Sequence, residues 1–276
     1  MEALTTTAIL NGLRTHTLGR QVAYYQTTAS TNAVAKALAA QGAVEGTLVI
    51  ADEQTAGRGR LDRRWLAPPG TSLLFSLLFR PQLAVARASA LTMICGLGVR
   101  QAIRELTALP AQLKWPNDIM VRGRKGGGIL TEVSSSAERL DWAVVGIGLN
   151  VNLPVAALPA EFRATSLQQE LGRSTSRVKL LQLILLHIEQ HYLKLQAGQW
   201  PSHEWASALE TLGQRVRLHT AEGAVEGLAE AVDDEGGLAL RLDDGQLLKV
   251  WAGDLVALTS SEAAAGEEKG PGPPTR

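Results

Sequence analysis

The sequence predicts an α+β protein in which strands and helices share one core, followed by a small antiparallel β-barrel. Over residues 1–212, apolar runs of strand length alternate with longer runs of helix-forming residues. From residue 214 onwards, short apolar runs are separated by turns rich in Gly and Asp, which is typical of small barrels. A chain of 276 residues, of which 45% are hydrophobic, is long enough to bury one large core and a smaller one.

Composition argues against several classes of protein. The 27 Lys and Arg residues balance 27 Asp and Glu residues, so a surface dedicated to nucleic acid or to an anionic membrane is not expected. The single cysteine, Cys95, can form neither an internal disulfide nor a thiolate metal site. The N-terminus lacks the pattern of a secretory signal, and the most apolar run, residues 180–188, is too short to span a bilayer. We therefore expect a cytoplasmic protein.

The predicted elements before residue 213 follow from apolar runs and their lengths. Ser30, Thr31 and Asn32 precede an alanine-rich run at 33–40, which is the pattern of a helix N-cap, and Gly42 ends that helix. The other predicted elements are strands at 22–25, 48–51, 72–79, 112–115, 119–121, 128–133 and 142–147 and helices at 83–106, 177–196 and 200–212.

The barrel is predicted from shorter elements. Its predicted strands lie at 216–218, 224–232, 238–242 and 246–250. We place a domain boundary near Leu212, which gives an N-terminal segment at 1–20, a large domain at 21–212 and the barrel at 213–258. The tail at 259–276 has little apolar surface to bury, so we expect it to be disordered.

A basic loop lies between two apolar strands. It holds two glycines and four arginines, namely Gly57, Gly59, Arg58, Arg60, Arg63 and Arg64. Glycines let backbone amides approach a ligand, and arginine offers fixed donors for carboxylate or phosphate. The segment therefore indicates an anion-binding loop. A solvated connection and an RNA-binding segment are the alternatives, although Gly-Arg segments that bind RNA are usually longer.

Three further polar segments stand out. Residues 114–118, Lys-Trp-Pro-Asn-Asp, hold a cation, an amide and a carboxylate in one turn, although Pro-Asn-Asp also favours a turn on local grounds. Glycines at 126–128 weaken a hairpin unless backbone must approach something closely, and a flexible hairpin tip is the alternative. Gly146 and Gly148 precede Asn150 at a strand end, which also fits a strand approached by another backbone or a ring. None of these segments matches a nucleotide-binding fingerprint.

In this order and spacing, the segments resemble the catalytic domain of biotin protein ligases, the biotin–[acetyl-CoA-carboxylase] ligases. That family carries a GRGRxGRxW loop, a KWPND turn, a K-x-x-G-I-L hairpin and strand and a G-x-G-x-N strand end, which this chain shows at 57–65, 114–118, 125–130 and 146–150. Ser30-Thr31-Asn32 is similar to the family's STN helix start, whereas Asp62 stands where the family usually has Gly. The resemblance covers residues 22–258. It implies a class II synthetase-like domain, with a mixed central sheet flanked by helices, and an SH3-like barrel.

The resemblance implies biotin, ATP and Mg²⁺ as ligands and assigns residues to the first two. It assigns to biotin Ser30, Thr31, Asn32, Gln54, Gly57, Arg58, Gly59, Arg60, Lys125, Gly128, Gly146 and Gly148. It assigns to ATP Arg58, Arg63, Trp65, Lys114, Asn117, Asp118, Lys125, Gly127 and Asn150. The implied catalytic residues are Lys125, Arg60 and Asp118, with Lys125 between the biotin carboxylate and the α-phosphate. Asp118 either orients a metal or accepts a proton from the incoming lysine, and the metal ligands stay unknown.

The resemblance also implies two half-reactions. Biotin and ATP give biotinyl-5′-adenylate and pyrophosphate, and a lysine of a biotin carboxyl carrier protein then takes the biotinyl group. A carboxylate is already ionised at neutral pH, so its attack on phosphorus needs no general base. Two anions must meet while negative charge grows, so the site needs fixed cations. The candidates are Arg58, Arg60, Arg63 and Lys125.

Three other functions stay open on the sequence alone. Some family members repress transcription through an N-terminal helix-turn-helix, but here the first predicted strand begins at residue 22, so we expect no operator binding. A lipoate ligase or octanoyl transferase of similar architecture is the nearer rival. A module that binds an anion without turning it over is the third alternative.

Two further features of the sequence bear on assembly and on metals. Family members are often homodimers, and we interpret the predicted strand at 142–145 as a sheet edge and a candidate interface. His187 and His191, at positions i and i+4 of a predicted helix, have a metal-ligand spacing. No third ligand lies nearby in the sequence, so we interpret both histidines as helix surface or core.

Overall fold

The computed structural model describes residues 3–60, 63–154, 156, 164–220 and 223–258, except for the side chains of Thr220 and Asp254. The tail predicted at 259–276 lies outside these residues, as does Asp62. Within the described part of the chain, the strands form two sheets, and the helices pack mainly against the larger one.

The larger sheet consists of β1 (Val22–Thr28), β2 (Leu48–Gln54), β3 (Ser72–Phe79), β4 (Ala111–Lys114), β5 (Asp118–Val121), β6 (Arg124–Ser136) and β7 (Arg139–Asn150). Its strand order is β1-β2-β3-β7-β6-β5-β4. Strands β1 and β2 run parallel, and every other neighbouring pair is antiparallel. The mixed central sheet that the resemblance implies is thus confirmed.

The helices cover both faces of this sheet. They are α1 (Thr6–Leu10), α2 (Thr31–Ala40), α3 (Ser89–Thr107), α4 (Leu167–Leu171), α5 (Arg177–Gln196) and α6 (Ser202–Ala208). Helices α3 and α5 pack together on one face, and α2 lies on the other face against β2, β3 and β7. Because β3 is covered on both sides, it is buried along its whole length.

Of the described helices, none is both long enough and apolar enough to cross a membrane.

Helix α2 carries polar residues to the surface of the sheet. Ser30 caps this helix, since its side chain accepts a hydrogen bond from the Ala33 N–H. Two alanines of α2 belong to a small second core, which consists of Ala35, Ala39, Val49, Leu78 and Val144. This packing holds the first turn of the helix, with Thr31 and Asn32, directly over β3.

The second sheet is antiparallel and consists of β8 (Arg215–Thr220), β9 (Gly223–Val232), β10 (Leu238–Arg241), β11 (Leu247–Val250) and β12 (Asp254–Ala257). Its strand order is β11-β10-β9-β8-β12. A closed barrel requires the outer two strands to pair. In the described residues, β11 pairs with β10 and β12 with β8, so the sheet is open. The predicted antiparallel strands are confirmed, but the closed barrel is not. The spacing of turns in a sequence indicates how long the strands are, and it does not indicate whether the two outer strands of the sheet pair with each other.

Trp115 connects the two sheets. Its side chain is fully buried, and its backbone N–H donates to Thr211 Oγ1 at 3.0 Å. The indole Nε1–H donates to the Gly236 carbonyl, in the turn between β9 and β10, at 2.9 Å. The Lys-Trp-Pro-Asn-Asp turn is therefore attached to both sheets, while the division of the chain into domains stays a prediction.

The helix predicted at 83–106 begins later than expected. The carbonyl of Leu83 accepts from the Leu140 N–H at 3.0 Å, and the Val85 N–H donates to the Glu138 carbonyl at 2.9 Å. Leu83 and Ala84 therefore extend along the start of β7, a short 3₁₀ helix follows at Val85–Arg87, and the α-helix begins at Ser89. Pairing with a distant strand has overridden the helical preference of the segment.

The helix predicted at 200–212 is shorter for a similar reason. It ends at Ala208, and Leu209 pairs with Leu113 in a parallel bridge beside β4. The Glu210 N–H donates to the Leu113 carbonyl at 2.8 Å. The five-residue helices α1 and α4 were not predicted, because such short segments carry no clear periodicity.

The strand predicted at 142–145 is not an edge. It lies in β7, which pairs with β3 on one side and with β6 on the other. The described sheet has its edges at β1 and β4. The sheet edge expected at 142–145 is therefore wrong, because β7 is paired on both sides, whereas the interface and the homodimer stay predictions.

The two histidines of α5 contact protein side chains. His187 Nε2 lies 2.7 Å from Glu105 Oε2, and His191 Nε2 lies 3.0 Å from Gln101 Oε1. Burial lowers the pKa of His191 below its ordinary value. The described residues contain no group of three His, Cys, Asp or Glu side chains that could hold a metal ion.

The substitution Gly98→Ala is expected to destabilise the fold. Gly98 lies where α3 meets α5, and a Cβ there would stand 2.6 Å from Ile188 Cγ1 and 2.8 Å from the Ile188 backbone nitrogen. Because a helix backbone cannot move aside easily, we expect the free energy of unfolding, measured in urea, to fall by about 2 kcal/mol. Gly96→Ala is the control, since its new Cβ would first meet the flexible end of Leu113 at 3.2 Å. Equal losses in the two variants would contradict this explanation.

Candidate active site

A cavity of about 1670 Å³ opens between the large sheet and the second sheet. Its walls include the first turn of α2, the basic loop, the Lys-Trp-Pro-Asn-Asp turn and part of β12. Arg58, Arg60 and Lys125, the cations on which the predicted chemistry depends, all line this one cavity. The fold therefore brings Arg58 and Lys125, which are 67 residues apart in the sequence, to the same cavity.

Most of the residues that the sequence singles out line the cavity. Those that do are Ser30, Thr31, Asn32, Gln54, Arg58, Gly59, Arg60, Arg63, Trp65, Lys114, Asn117, Asp118, Lys125, Gly128, Gly146, Gly148 and Asn150. Gly57 and Gly127 lie behind this surface. A Cβ at Gly127 would stand 2.8 Å from the Gly148 carbonyl oxygen, and one at Gly57 would stand 2.9 Å from the Trp65 carbonyl oxygen. Close approach of backbone, rather than a lining position, explains these two glycines.

Three glycines form the floor of the cavity. Gly128 of β6 pairs with Gly148 of β7, and Gly146 lies two residues away on the same face. A Cβ at Gly146 would overlap Asn32 Oδ1, and one at Gly148 would stand 2.6 Å from the Trp65 ring. A side chain at either position would therefore displace a group that lies directly on the sheet.

One end of the cavity is built from uncharged hydrogen-bonding groups. Gln54 Oε1 accepts from the Thr31 N–H at 2.7 Å and from the Thr31 hydroxyl at 3.1 Å. The hydroxyl oxygen of Ser76, on strand β3, lies 2.8 Å from Thr31 Oγ1. Because both Thr31 donors bind the Gln54 oxygen, the Gln54 amide nitrogen is on the other side, next to Gly57. This end of the cavity therefore offers an amide donor to a ligand.

Asn32 is held from three sides. Its Nδ2 donates to the Leu130 carbonyl at 3.2 Å and to Glu132 Oε2 at 2.8 Å. Its Oδ1 accepts from the Ser76 hydroxyl at 2.6 Å. Both amide hydrogens are thus engaged by protein groups, so Asn32 supports the cavity wall from within.

Glu132 is ionised in this setting. It forms an ion pair with Lys36 in addition to its hydrogen bond with Asn32. Burial raises the pKa of Glu132, but the hydrogen bonds from Lys36 and Asn32 and the charges of Lys36 and Arg58 lower it. The net result is a pKa below the ordinary value for a glutamate.

The opposite end of the cavity carries charge. Lys125 Nζ donates to Asp118 Oδ1 at 2.5 Å. Arg60 Nη1 donates to Asn117 Oδ1 at 3.2 Å, and Asn117 Nδ2 donates to the Ile129 carbonyl at 2.5 Å. The side chains of Lys125 and Asp118 are 36% and 23% exposed, so both remain accessible to a ligand in the cavity.

The described part of the basic loop forms a hairpin. The Gly59 N–H donates to the Arg63 carbonyl at 2.6 Å, and the Trp65 N–H donates to the Gly57 carbonyl at 2.9 Å. This hairpin places the loop arginines on the cavity wall, with Arg60 at the charged end, and lays the Trp65 ring over the glycine floor.

Two polar atoms of cavity residues are buried and have no hydrogen-bond partner among the described residues. They are Trp65 Nε1 and Asn150 Oδ1. Asn150 is 4% exposed, and its Nδ2 donates to the Thr165 carbonyl at 3.0 Å, which fixes the orientation of the amide. Because an unpaired buried polar atom is costly, both atoms indicate a partner that a ligand would supply.

A row of paired strand positions leads from the floor to the edge of the sheet. Gly128 pairs with Asp118, and Asp118 pairs with Lys114. The extended segment beyond α6 adds Glu210 beside Lys114. Burial raises the pKa of Glu210, the charge of Lys114 lowers it and that of Asp118 raises it, and the net shift is upward. Glu210 lines the cavity, as the carboxylates of Asp118 and Glu132 do.

Sequence reasoning missed four residues of the site. They are Lys36, Ser76, Glu132 and Glu210. Ser76 and Glu132 occupy positions of predicted strands whose side chains point to the same face as Gly146. Strand alternation could have found them once that face was known. Glu210 had no such signal, because it lay in a segment predicted to be helical.

Two family models match the chain. The model of the Biotin/lipoate A/B protein ligase family matches residues 23–150. The model of the Biotin protein ligase C terminal domain matches residues 211–256.

Individual proteins resemble the chain over most of its length. The bifunctional ligase/repressor BirA of Bacillus subtilis is 36% identical over 248 residues, which are 88% of this chain and 76% of that protein. The biotin–[acetyl-CoA-carboxylase] ligase of Mycobacterium tuberculosis is 34% identical over 246 residues, 87% of this chain and 90% of that protein. The structure of the biotin protein ligase from Aquifex aeolicus in complex with biotin and ATP shares 30% identity at a TM-score of 0.73, covering 87% of this chain and 100% of that one. The chain therefore belongs to the biotin protein ligase family.

Proposed function

We propose that the chain is an ATP-dependent ligase that forms biotinyl-5′-AMP and transfers the biotinyl group to a lysine of a biotin carboxyl carrier protein. The observation that carries this proposal is one cavity with an uncharged hydrogen-bonding end and a cationic end. Biotin itself combines an uncharged ring system with an acid tail. Relatives named biotin–[acetyl-CoA-carboxylase] ligase support the acceptor class, and the Aquifex aeolicus structure with biotin and ATP supports both substrates.

We assign the uncharged end of the cavity to the ureido ring of biotin. An uncharged bicycle with donors and acceptors requires neutral partners at fixed positions. The Gln54 amide nitrogen and the hydroxyls of Ser30 and Thr31 supply them. Arg58 and Gly59 follow along the wall towards the charged end, where the acid tail would lie.

We assign the region around Trp65 and Asn150 to ATP. The Trp65 ring offers an aromatic surface over the glycine floor, and the Asn150 oxygen accepts a hydrogen bond from an exocyclic amino group such as that of adenine. Arg63, Lys114 and Asn117 line the same cavity and would bind the triphosphate.

In the first half-reaction, a carboxylate oxygen of biotin forms a bond to the α-phosphorus. The bond from this phosphorus to the bridging oxygen breaks, and pyrophosphate leaves. The nucleophile is ionised at neutral pH, so no residue has to accept a proton. Arg58, Arg60 and Lys125 stabilise the charge that grows on the phosphoryl oxygens.

In the second half-reaction, the amine of the acceptor lysine attacks the carbonyl carbon of the mixed anhydride, and AMP leaves. The amine loses a proton in this step. We assign its acceptance to Glu210, which lines the cavity and whose raised pKa makes it a stronger base than an ordinary glutamate.

The family also implies Mg²⁺ as the companion of ATP. The site fits this ion, because Mg²⁺ binds through one or two carboxylates together with substrate phosphates, and Asp118 presents a partly exposed carboxylate beside the cavity cations. Asp118 would hold the ion. When bound, Mg²⁺ supplies charge neutralisation for the triphosphate.

Calorimetric titration tests the substrate. We expect biotin to bind and lipoate to bind at least about a hundredfold more weakly, since lipoate would leave the buried polar groups around Gln54 unpaired. Gln54→Leu should weaken biotin binding about tenfold without changing ATP binding. Tighter binding of lipoate would contradict the assignment, and biotin binding without any adenylate formation would leave only a binding module.

The variant Lys125→Met tests the charged end. We expect the rate of biotin-dependent ATP–pyrophosphate exchange to fall about a hundredfold to a thousandfold, because a cation aimed at the transition state is lost. Circular dichroism should show an unchanged fold. Lys179→Met, which alters an exposed lysine of α5, is the control and should retain the wild-type rate. Exchange at the wild-type rate in Lys125→Met would exclude the proposed role.

The variant Asn150→Ala tests the nucleotide assignment. We expect the KM for ATP to rise about tenfold while the affinity for biotin stays within about twofold, because a buried acceptor for ATP is removed. Asn152→Ala is the control: its amide is also buried, but it exchanges hydrogen bonds with Thr175 at 2.9 Å. That variant should lower stability without a selective effect on ATP. An unchanged KM for ATP in Asn150→Ala would refute the assignment.

A further inference from the structure

A continuous chain of polar contacts runs beneath the uncharged end of the cavity. It begins at Lys36 and continues through Glu132 and Asn32 to Ser76. Ser76 Oγ lies 2.8 Å from Thr31 Oγ1, and the Thr31 backbone N–H donates to the oxygen of the Gln54 side chain at 2.7 Å. Neither of the two residues that begin this chain is part of any motif in the sequence.

The Glu132 carboxylate holds helix α2 at two points. Asn32 and Lys36 are four residues apart on α2 and therefore lie on the same side of the helix. Asn32 donates to Glu132 Oε2 at 2.8 Å, and Lys36 donates to Oε1. Because each oxygen contacts a different turn, the carboxylate fixes both the rotation of α2 about its axis and its position along β6.

The position of α2 determines the direction in which the Gln54 amide nitrogen, the donor offered to a ligand, points. The second Asn32 hydrogen binds the Leu130 carbonyl at 3.2 Å, and the Asn32 oxygen accepts from Ser76 at 2.6 Å. Thr31, the preceding residue, is thereby held where its N–H reaches Gln54 Oε1 at 2.7 Å. Rotation of α2 would release the Gln54 oxygen, and the amide could then turn its nitrogen away from the cavity.

We propose that Glu132 is a positioning residue for the first substrate, which sets the orientation of the Gln54 amide through Asn32, Ser76 and Thr31. The inference rests on the proposed function, since it concerns the uncharged end assigned to biotin. Glu132 lines the cavity, and both of its carboxylate oxygens accept hydrogen bonds from α2. The hydrogen bonds from Lys36 and Asn32, together with the charges of Lys36 and Arg58, lower the pKa of Glu132, so both of its oxygens accept hydrogen bonds at neutral pH.

The test compares three substitutions of the chain of contacts, each studied in the full-length protein. Glu132→Ala removes both contacts to α2 and should weaken biotin binding, measured by calorimetry, about tenfold or more. Glu132→Gln retains one oxygen for Asn32 but loses the acceptor for Lys36, so it should weaken biotin binding by about threefold, less than Glu132→Ala. Ser76→Ala interrupts the chain at its middle and should also weaken biotin binding about tenfold.

The readout that separates positioning from general destabilisation is the ratio of the two substrate affinities. For all three variants, the KM for ATP should stay within about twofold of the wild type, since the nucleotide groups lie elsewhere in the cavity. Glu226→Ala is the matched control. Its ion pair with Arg217 has side chains that are 28% and 39% exposed, close to the 31% and 34% of Glu132 and Lys36, but it lies on the second sheet.

The outcomes distinguish this inference from the proposed function. Wild-type protein that fails to bind biotin would overturn both. Wild-type protein that binds biotin, together with Glu132→Ala and Ser76→Ala variants of unchanged biotin affinity, would overturn the inference alone. A loss of affinity for biotin and ATP to the same extent, matched by Glu226→Ala, would also overturn it. If Glu132→Ala does not fold, Ser76→Ala and Glu132→Gln decide between the same outcomes.

Discussion

The cavity depends on three strand positions that carry no side chain. In an ordinary sheet, every second residue covers each face with a Cβ atom and the rest of its side chain. At Gly128, Gly146 and Gly148 this layer is missing, so Trp65 and Asn32 lie directly on the sheet. Missing side chains also remove contacts that would stabilise the strands. Backbone pairing compensates for these lost contacts, because β3 and β6 both pair with β7 along the positions of Gly146 and Gly148.

The cations of the site come from separate parts of the chain. Arg60 belongs to the basic loop, Lys125 to β6 and Lys114 to β4. Gathering like charges in one cavity is unfavourable unless fixed partners hold them. Asp118 holds Lys125 at 2.5 Å, and Asn117 accepts from Arg60 at 3.2 Å. Because these partners are set by the fold, the cations need little rearrangement when charge develops on a substrate, which is the condition for effective electrostatic catalysis.

What the sequence predicts well is local. Strand β3 and helix α5 have the predicted bounds, because an uninterrupted apolar run defines the strand and a long run of helix formers defines the helix. Pairing between distant segments is not visible in such runs. Strand β7 is central although an edge was expected, and residues 209–210 extend along β4 although a helix was expected. The motif residues were found from resemblance, whereas Glu132 and Glu210 become site residues only through the register of strands that the sequence does not state.

The ion pair between Lys36 and Glu132, at the uncharged end of the cavity, combines a two-point contact with local neutrality. A neutral side chain at position 132 would not offer two acceptor atoms to two turns of α2, because an amide has one oxygen, whereas a carboxylate has two. A carboxylate alone, however, would place negative charge in the wall past which two anionic substrates must enter. Lys36 cancels that charge at contact distance, and the nearby Arg58 contributes further. A glutamate paired with a lysine therefore holds the helix at two points and leaves this end of the cavity without a repulsive field, which neither group would achieve by itself.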